Sequence, residues 1–258
     1  MLSKIIDAVR EAGKLILNAD DIEVASKDGG ANYVTKYDFM VQEFLCKRLK
    51  EIVPDAGFVG EEGSGGHEKA GDGYCFIIDP IDGTTNFICN YKLIAVSVGL
   101  ALDGEPVLGV VYNPYLDEMF YAEKGKGAYL NGKKLIIKDR SLNEGLLCFN
   151  SSPYNKELRE TLFKLLKELS YQAVDIREIG TAALSICYVA DNRNAAYFSL
   201  ALSVWDYAAA AVIVREAGGE LMTVNGENIG LYGTSSLVAA NRTAMKEFFA
   251  IAEKVSLA

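Results

Sequence analysis

Cys75-Phe76-Ile77-Ile78-Asp79-Pro80-Ile81-Asp82-Gly83-Thr84-Thr85-Asn86 is the most informative run in the chain. Its first four residues form a continuous apolar segment suited to a buried strand. The acidic, turn-forming residues that follow therefore sit at the strand's C-terminal end. Two carboxylates three residues apart, with a proline between them, hold acidic groups at a fixed separation. Hard divalent cations take oxygen ligands, and Mg²⁺ is commonly held by a few carboxylates together with substrate phosphate. Gly83-Thr84-Thr85 then offers backbone N–H groups and hydroxyls, and a helix beginning there makes those N–H groups an anion site. A polar turn after a strand explains Asp-x-x-Asp alone. It does not explain the whole octet 79–86.

Upstream, residues 3–18 carry Ile5, Ile6, Val9, Ile16 and Leu17, with Ala12 and Gly13, on one helical face, and Ser3 is the expected N-cap. Residues 20–33 are polar, contain Gly29 and Gly30, and read as a mobile loop carrying Lys27. A second amphipathic helix, started by Asp38, buries Val41, Phe44, Leu45, Leu49 and Ile52 and stops before Pro54. Strands are expected at 57–60, 74–78, 95–102, 107–112 and 119–122, and Asp103-Gly104 is a hairpin signal. Helices followed by a largely antiparallel sheet thus make up the first half.

After Ser141 the pattern alternates: strand 146–150, helix 156–169, strand 173–176, helix 181–190, strand 195–200, and helix 207–217 ended by Gly218-Gly219. A strand at 237–240 and a helix at 243–255 complete it. Such alternation implies α/β layers. A boundary near residue 140 separates an N-terminal α+β half, 1–140, bearing the metal and phosphate motifs, from a C-terminal α/β half, 141–258, that completes the site.

Composition narrows the class. Of 258 residues 50% are hydrophobic and 24% charged, the balance of an ordinary globular protein. A net charge of −9 speaks against non-specific nucleic-acid binding, whose energy comes from cations meeting phosphates. The five cysteines are scattered and form no CxxC, so neither a zinc ribbon nor a redox dithiol is indicated, and reduced thiols in a cytoplasm fit. Lys4 and Asp7 break any leader-like run at the N-terminus. No apolar run approaches the ~20 residues that span a bilayer.

Two further acidic sites resemble the first. Gly60-Glu61-Glu62-Gly63 follows the strand-like run 57–59, where a glutamate can add a carboxylate to the site or merely face solvent in a turn. Asp206, in Trp205-Asp206, interrupts otherwise apolar sequence. It is either a helix N-cap or a buried carboxylate needing a counter-charge, and the two roles can coexist. The single histidine, His67, sits in a polar loop. No cysteine has the Gly-rich, Arg-bearing setting of a phosphatase thiolate, and no nucleotide-binding glycine motif occurs.

Together these residues resemble the inositol monophosphatase family of lithium-sensitive, Mg²⁺-dependent phosphatases. The resemblance runs from Val34-Thr35-Lys36-Tyr37-Asp38 through Gly60-Glu61-Glu62 and the segment Asp79-Pro80-Ile81-Asp82-Gly83-Thr84-Thr85-Asn86-Phe87. It continues through Gly125-Lys126-Gly127-Ala128, Asn131-Gly132, Gly180-Thr181-Ala182-Ala183, Trp205-Asp206 and Glu216-Ala217-Gly218-Gly219. It implies an α/β (α+β) fold, a layered αβαβα sandwich of the inositol monophosphatase and fructose-1,6-bisphosphatase type, assembled as a cytoplasmic homodimer. The implied activity is Mg²⁺-dependent hydrolysis of a small polyol or sugar phosphate, inositol 1-phosphate-like, by metal-activated water. No nucleic acid or membrane partner is implied.

The resemblance also implies roles. Glu61, Asp79 and the Ile81 carbonyl hold one Mg²⁺, while Asp79, Asp82 and Asp206 hold a second. A third is allowed near Glu61 with mostly water ligands. Asp38 and Thr84 orient and activate the attacking water beside Glu61. Gly83, Thr84 and Thr85 hold the phosphate, Lys27 matches a mobile basic residue, and Gly180, Thr181 and Ala182 touch the alcohol part. One position departs from the pattern: Ser199, seven residues before Asp206, stands where inositol phosphatases usually carry a glutamate that binds ring hydroxyls. Fructose-1,6-bisphosphatase, nucleotide 3′-phosphatase and a regulatory protein contacting transcription machinery are the competing readings.

Overall fold

Hydrophobic periodicity in the first 52 residues builds two helices that pack on one face of a sheet. The computed structural model describes residues 1–20, 22–27, 32–63, 71–151 and 155–255. Helix α1 (Leu2–Leu17) buries Ile5, Val9, Ala12 and Ile16, and α2 (Lys36–Ile52) buries Val41, Leu45 and Leu49. Between them β1 (Val24–Ser26) and β2 (Tyr33–Thr35) pair antiparallel. This ribbon replaces part of the loop expected at 20–33; three-residue strands are too short for alternation to register. Ser3 is not the cap of α1, because the N-cap is Met1, two residues earlier. Gly29, Gly30 and His67 lie outside the described residues.

Seven strands follow in the order of the chain: β3 (Gly57–Gly60), β4 (Tyr74–Asp82), β5 (Ala95–Leu102), β6 (Glu105–Asn113), β7 (Glu118–Glu123), β8 (Ala128–Leu130) and β9 (Lys133–Leu135). β3 and β4 are parallel and every other pair in this sheet is antiparallel. Asp103 and Gly104 both have positive φ, 52° and 79°, as the expected hairpin turn requires. A short helix, α3 (Thr84–Ile88), leaves the end of β4.

The second sheet contains β10 (Leu146–Phe149), β11 (Asp175–Arg177), β12 (Asn194–Ser203), β13 (Glu220–Met222) and β14 (Thr234–Ala240), ordered β11-β10-β12-β14-β13. Helices α4 (Arg159–Ser170) and α7 (Arg242–Val255) cover its outer face. Between the two sheets lie α5 (Ala182–Ala190) and α6 (Val204–Glu216). Strand alternation assigns each face. Phe76 and Ile78 pack toward α1 and α2 while Ile77 packs toward α5 and α6. In β12, Tyr197 faces the middle layer and Phe198 faces α4 and α7. The result is a five-layered αβαβα sandwich.

The middle layer is apolar over most of its surface, as helices covered by two sheets must be. Small residues let it approach closely. A Cβ at Gly109 would lie 2.1 Å from the Ala209 carbonyl oxygen, and one at Gly99 would lie 3.2 Å from Ala208. This approach fixes α6, and with it Asp206, against β5 and β6. No helix among the described residues is long and apolar enough to cross a membrane.

Candidate active site

The end of β4 owes its shape to a bulge. Asp79 pairs with Ser97 and Asp82 with Ala95, so three steps on β4 meet two on β5. Residues i and i+3 of a regular strand face opposite sides. The extra residue restores a common side, and Pro80, which has no N–H, falls within the irregularity. Asp79 Oδ1 accepts from the Ile81 N–H at 3.1 Å, fixing the turn. The strand expected to stop at Ile78 therefore continues to Asp82.

Asp206 comes from the middle layer itself, in the first turn of α6. It does not cap α6. Ser203 is the N-cap, and Asp206 accepts from the Ser203 N–H at 2.7 Å as the third residue of a capping box. This geometry turns its carboxylate back toward β4. Asp79, Asp82 and Asp206 each place a carboxylate oxygen within 4.8 Å of the others. Asp82 in turn accepts from the start of α5: the Thr181 hydroxyl, the Ala182 N–H at 3.2 Å and the Ala183 N–H at 2.7 Å. Thr181 and Ala182 thus hold Asp82 and are themselves buried.

Burial, then the charges of Glu61, Asp82 and Asp206, drive Asp79 well above the ordinary carboxylate range. Asp206 is likewise driven well up by burial, Asp82 and Glu61. Asp82 is pushed up to about 6, burial outweighing the bonds from Thr181, Ala183 and Ala182. Hydrogen bonds alone leave this cluster short of positive charge. Its all-oxygen donor set fits a hard divalent cation.

Glu61 follows β3 and accepts from Lys27 Nζ at 2.9 Å, and Glu62 Oε1 lies 2.5 Å from the same ammonium. Burial lowers the Lys27 pKa, but Glu61 and Glu62 outweigh it and hold the ammonium charged. Gln42, one turn after Asp38 on α2, donates to the Glu62 carbonyl and accepts from the Glu62 N–H at 3.0 Å. Sequence patterns assign no role to Glu62 or Gln42. Two adjacent glutamates do not disclose which one faces a cation, and an amide on a helix carries no motif.

Asp38 occupies the third position of α2. Its Oδ2 accepts from the Thr35 N–H at 2.8 Å and hydroxyl at 2.6 Å, leaving Oδ1 3.3 Å from the Thr84 hydroxyl. Burial raises its pKa against the lowering effect of the Thr35 bonds. Thr84 Oγ1 is also 3.1 Å from the Ile81 carbonyl. Gly83, with φ of 93°, opens the turn into α3, where Thr84 and Thr85 are the first helical residues. Gly180 faces this turn from the second half of the chain; a Cβ on Gly83 would lie 3.0 Å from its carbonyl oxygen. Ser199 is fully buried, and its hydroxyl bonds the backbone of Ala201, donating to the carbonyl at 3.1 Å and accepting from the N–H at 3.3 Å.

The profile of the inositol monophosphatase family matches residues 1–257. The chain is 36% identical over 244 residues to inositol monophosphatase 1 of Homo sapiens, covering 92% of this chain and 88% of that one. It is 36% identical over 228 residues to the Nus factor SuhB of Xylella fastidiosa, covering 86% and 81%. The crystal structure of the extragenic suppressor protein suhB from Bartonella henselae superimposes with a TM-score of 0.86 at 29% identity, over 99% of this chain and 98% of that one.

Proposed function

The chain belongs to the inositol monophosphatase family, and from that premise and the site geometry we propose that it is a Mg²⁺-dependent phosphomonoesterase acting on a small polyol or sugar phosphate. The observation that carries this reading is the meeting of Asp79, Asp82 and Asp206 beside the hydroxyl–carboxylate pair Thr84–Asp38. Asp79, Asp82 and Asp206 would hold cations, with Glu61 and the Ile81 carbonyl at the edge of the group. Two or three ions are proposed. Bound there, Mg²⁺ supplies a lowered water pKa, orientation and charge stabilisation on the departing oxygen.

The protein's own part is positioning and proton movement. The Thr84 hydroxyl has one proton and two acceptors in reach, Asp38 Oδ1 and the Ile81 carbonyl. With that proton on Asp38, the Thr84 oxygen can take a proton from an attacking water. Gly83, Thr84 and Thr85 receive the phosphate on backbone N–H groups and hydroxyls. Lys27 places a positive charge beside Glu61 at the edge of the site. No covalent nucleophile is needed for this chemistry.

Substrate preference turns on residue 199. A glutamate there accepts hydrogen bonds from vicinal ring hydroxyls, and a buried serine closed on Ala201 does not. Inositol 1-phosphate is therefore expected to be turned over no faster than other small polyol or sugar phosphates. Phosphate release from a panel including inositol 1-phosphate, fructose 1,6-bisphosphate and a nucleoside 3′-phosphate, with Mg²⁺ or with EDTA, tests the proposal. Release with Mg²⁺ and its loss in EDTA is the expected result; undiminished turnover in chelator refutes it. A regulatory contact with transcription machinery is suggested by the Nus factor relative, and inactivity against every ester would favour it. A cytoplasmic homodimer belongs to the same proposal.

A further inference from the structure

We propose that Asn86 is a positioning residue whose amide clasps the phosphate loop to the segment that holds Asp82. Its Nδ2 lies 2.7 Å from the Leu93 carbonyl and 2.7 Å from the Ile179 carbonyl. An amide nitrogen has two hydrogens, and each finds one carbonyl. The main chain joins in, since the Asn86 carbonyl accepts from the Tyr91 N–H at 2.8 Å. One residue thus ties α3, the 89–93 turn and the approach to α5, the last of these 93 positions away in the chain.

The two turns are built for this contact. Gly180 has φ of 74°, and a Cβ there would lie 2.9 Å from both amide heavy atoms of Asn86. A Cβ on Gly83 would press on the Gly180 carbonyl oxygen and, at 3.2 Å, on the Leu93 carbonyl oxygen. The backbones meet without intervening side chains, and Asn86 supplies the polar link between them. The path closes on itself: Asp82 leads through Gly83 to Asn86, then to Ile179, then to Thr181, whose hydroxyl returns to Asp82. Asn86 therefore couples the loop that would receive phosphate to a carboxylate that would hold the cation. The catalytic consequence rests on the phosphatase reading; the clasp itself does not.

Asn86→Asp removes both donors at constant shape and turns an oxygen on two carbonyls. Asn86→Ala removes the amide altogether and serves if the first variant fails to fold. Hydrogen-exchange mass spectrometry is read on peptides covering 83–93 and 178–184, beside Leu165→Ala, a cavity variant in the distant outer core. Exchange is expected to accelerate about 10- to 100-fold in both peptides of the Asn86 variants, the loss corresponding to two hydrogen bonds, and in neither peptide of Leu165→Ala. Acceleration confined to 83–93, or equal in Leu165→Ala, overturns the clasp. The inhibition constant for inorganic phosphate with Mg²⁺ is expected to rise by about 10-fold or more; an unchanged constant overturns the positioning role. If the parent protein binds no phosphate, the phosphatase reading fails, and the exchange pattern still decides the clasp.

Discussion

Removing divalent cations should make the protein less stable as pH rises, the reverse of ordinary acid unfolding. Asp79, Asp82 and Asp206 all have raised pKa values without a cation. Asp82, moved from 3.8 to about 6, keeps its proton in the folded chain after the unfolded chain has lost it. The folded state then binds more protons between about pH 4 and pH 6, so the unfolding free energy falls across that window. Two pH units at ~1.36 kcal/mol each make this about 3 kcal/mol from Asp82, and Asp79 and Asp206 act in the same direction. For a chain this long ~1 kcal/mol moves Tm by about 2–4 °C, so a fall of about 6–12 °C is expected. Exposed carboxylates with lowered pKa, such as Asp117 and Asp175, titrate below the window and do not cancel it. The assay is thermal unfolding from pH 4 to 7.5 in EDTA or in excess Mg²⁺. Mg²⁺ at about 100 times its Kd should restore ~2.7 kcal/mol at pH 7.5 and progressively less toward pH 5, where protons compete. Asp79→Asn keeps the acceptor for the Ile81 N–H while removing one buried charge. In EDTA it should flatten the slope, and it should lose the Mg²⁺ gain. A Tm in EDTA that is flat or rising over this range, or a full Mg²⁺ gain in Asp79→Asn, would refute the account.

Thr84→Ala and Asp38→Asn should each lower kcat by roughly 10²- to 10⁴-fold. The double variant should fall little further because the pair acts as a unit, and strictly multiplicative losses in steady-state kinetics would separate the two roles. Gly109→Ala puts a Cβ where the Ala209 carbonyl oxygen lies 2.1 Å away. It should destabilise by about 1–3 kcal/mol or more, since backbone rather than a flexible side chain must move. Because the displaced helix carries Asp206, the Mg²⁺ midpoint for thermal stabilisation should rise as well; an unchanged midpoint would show that α6 is not held by this contact.

Much of this arrangement was legible in residue patterns, and the failures have physical causes. The faces of α1 and α2 follow from 3.6-residue spacing, and the continuous apolar runs of β4 and β12 mark strands buried on both faces. β8, β9 and β13 leave no signal, because three residues cannot establish a period. Asp79-Pro80 looks like a strand breaker and places the end of β4 too early. A bulge lets the strand run through it, and only the partner register on β5 reveals that. An aspartate before an apolar helical run suggests an N-cap at Asp206, three residues past the actual cap at Ser203. A capping box uses serine first and the acid third, and Ser203 three residues upstream was the available signal. The Asn86 link spans two distant segments, and no local pattern encodes it.

One regularity explains how the chain folds with acids gathered around this site. Asp38 is the third residue of α2 and Asp206 the third residue of α6. Asp82 accepts the first N–H groups of α5. Each of these carboxylates sits at a helix N-terminus, where unpaired N–H groups and the helix dipole favour negative charge by roughly 0.3–1 kcal/mol, up to ~2 where partly buried. The helices of the middle layer thus point their N-termini at the place where charge gathers, and the fold offsets part of the repulsion before any cation arrives. Asp79 is the exception. It lies inside β4, is bonded to a single N–H among the described contacts, and is pressed by Glu61, Asp82 and Asp206 together. A cation therefore matters most at Asp79, which is why neutralising that residue, rather than Asp82 or Asp206, best separates repulsion within the folded chain from binding of the metal.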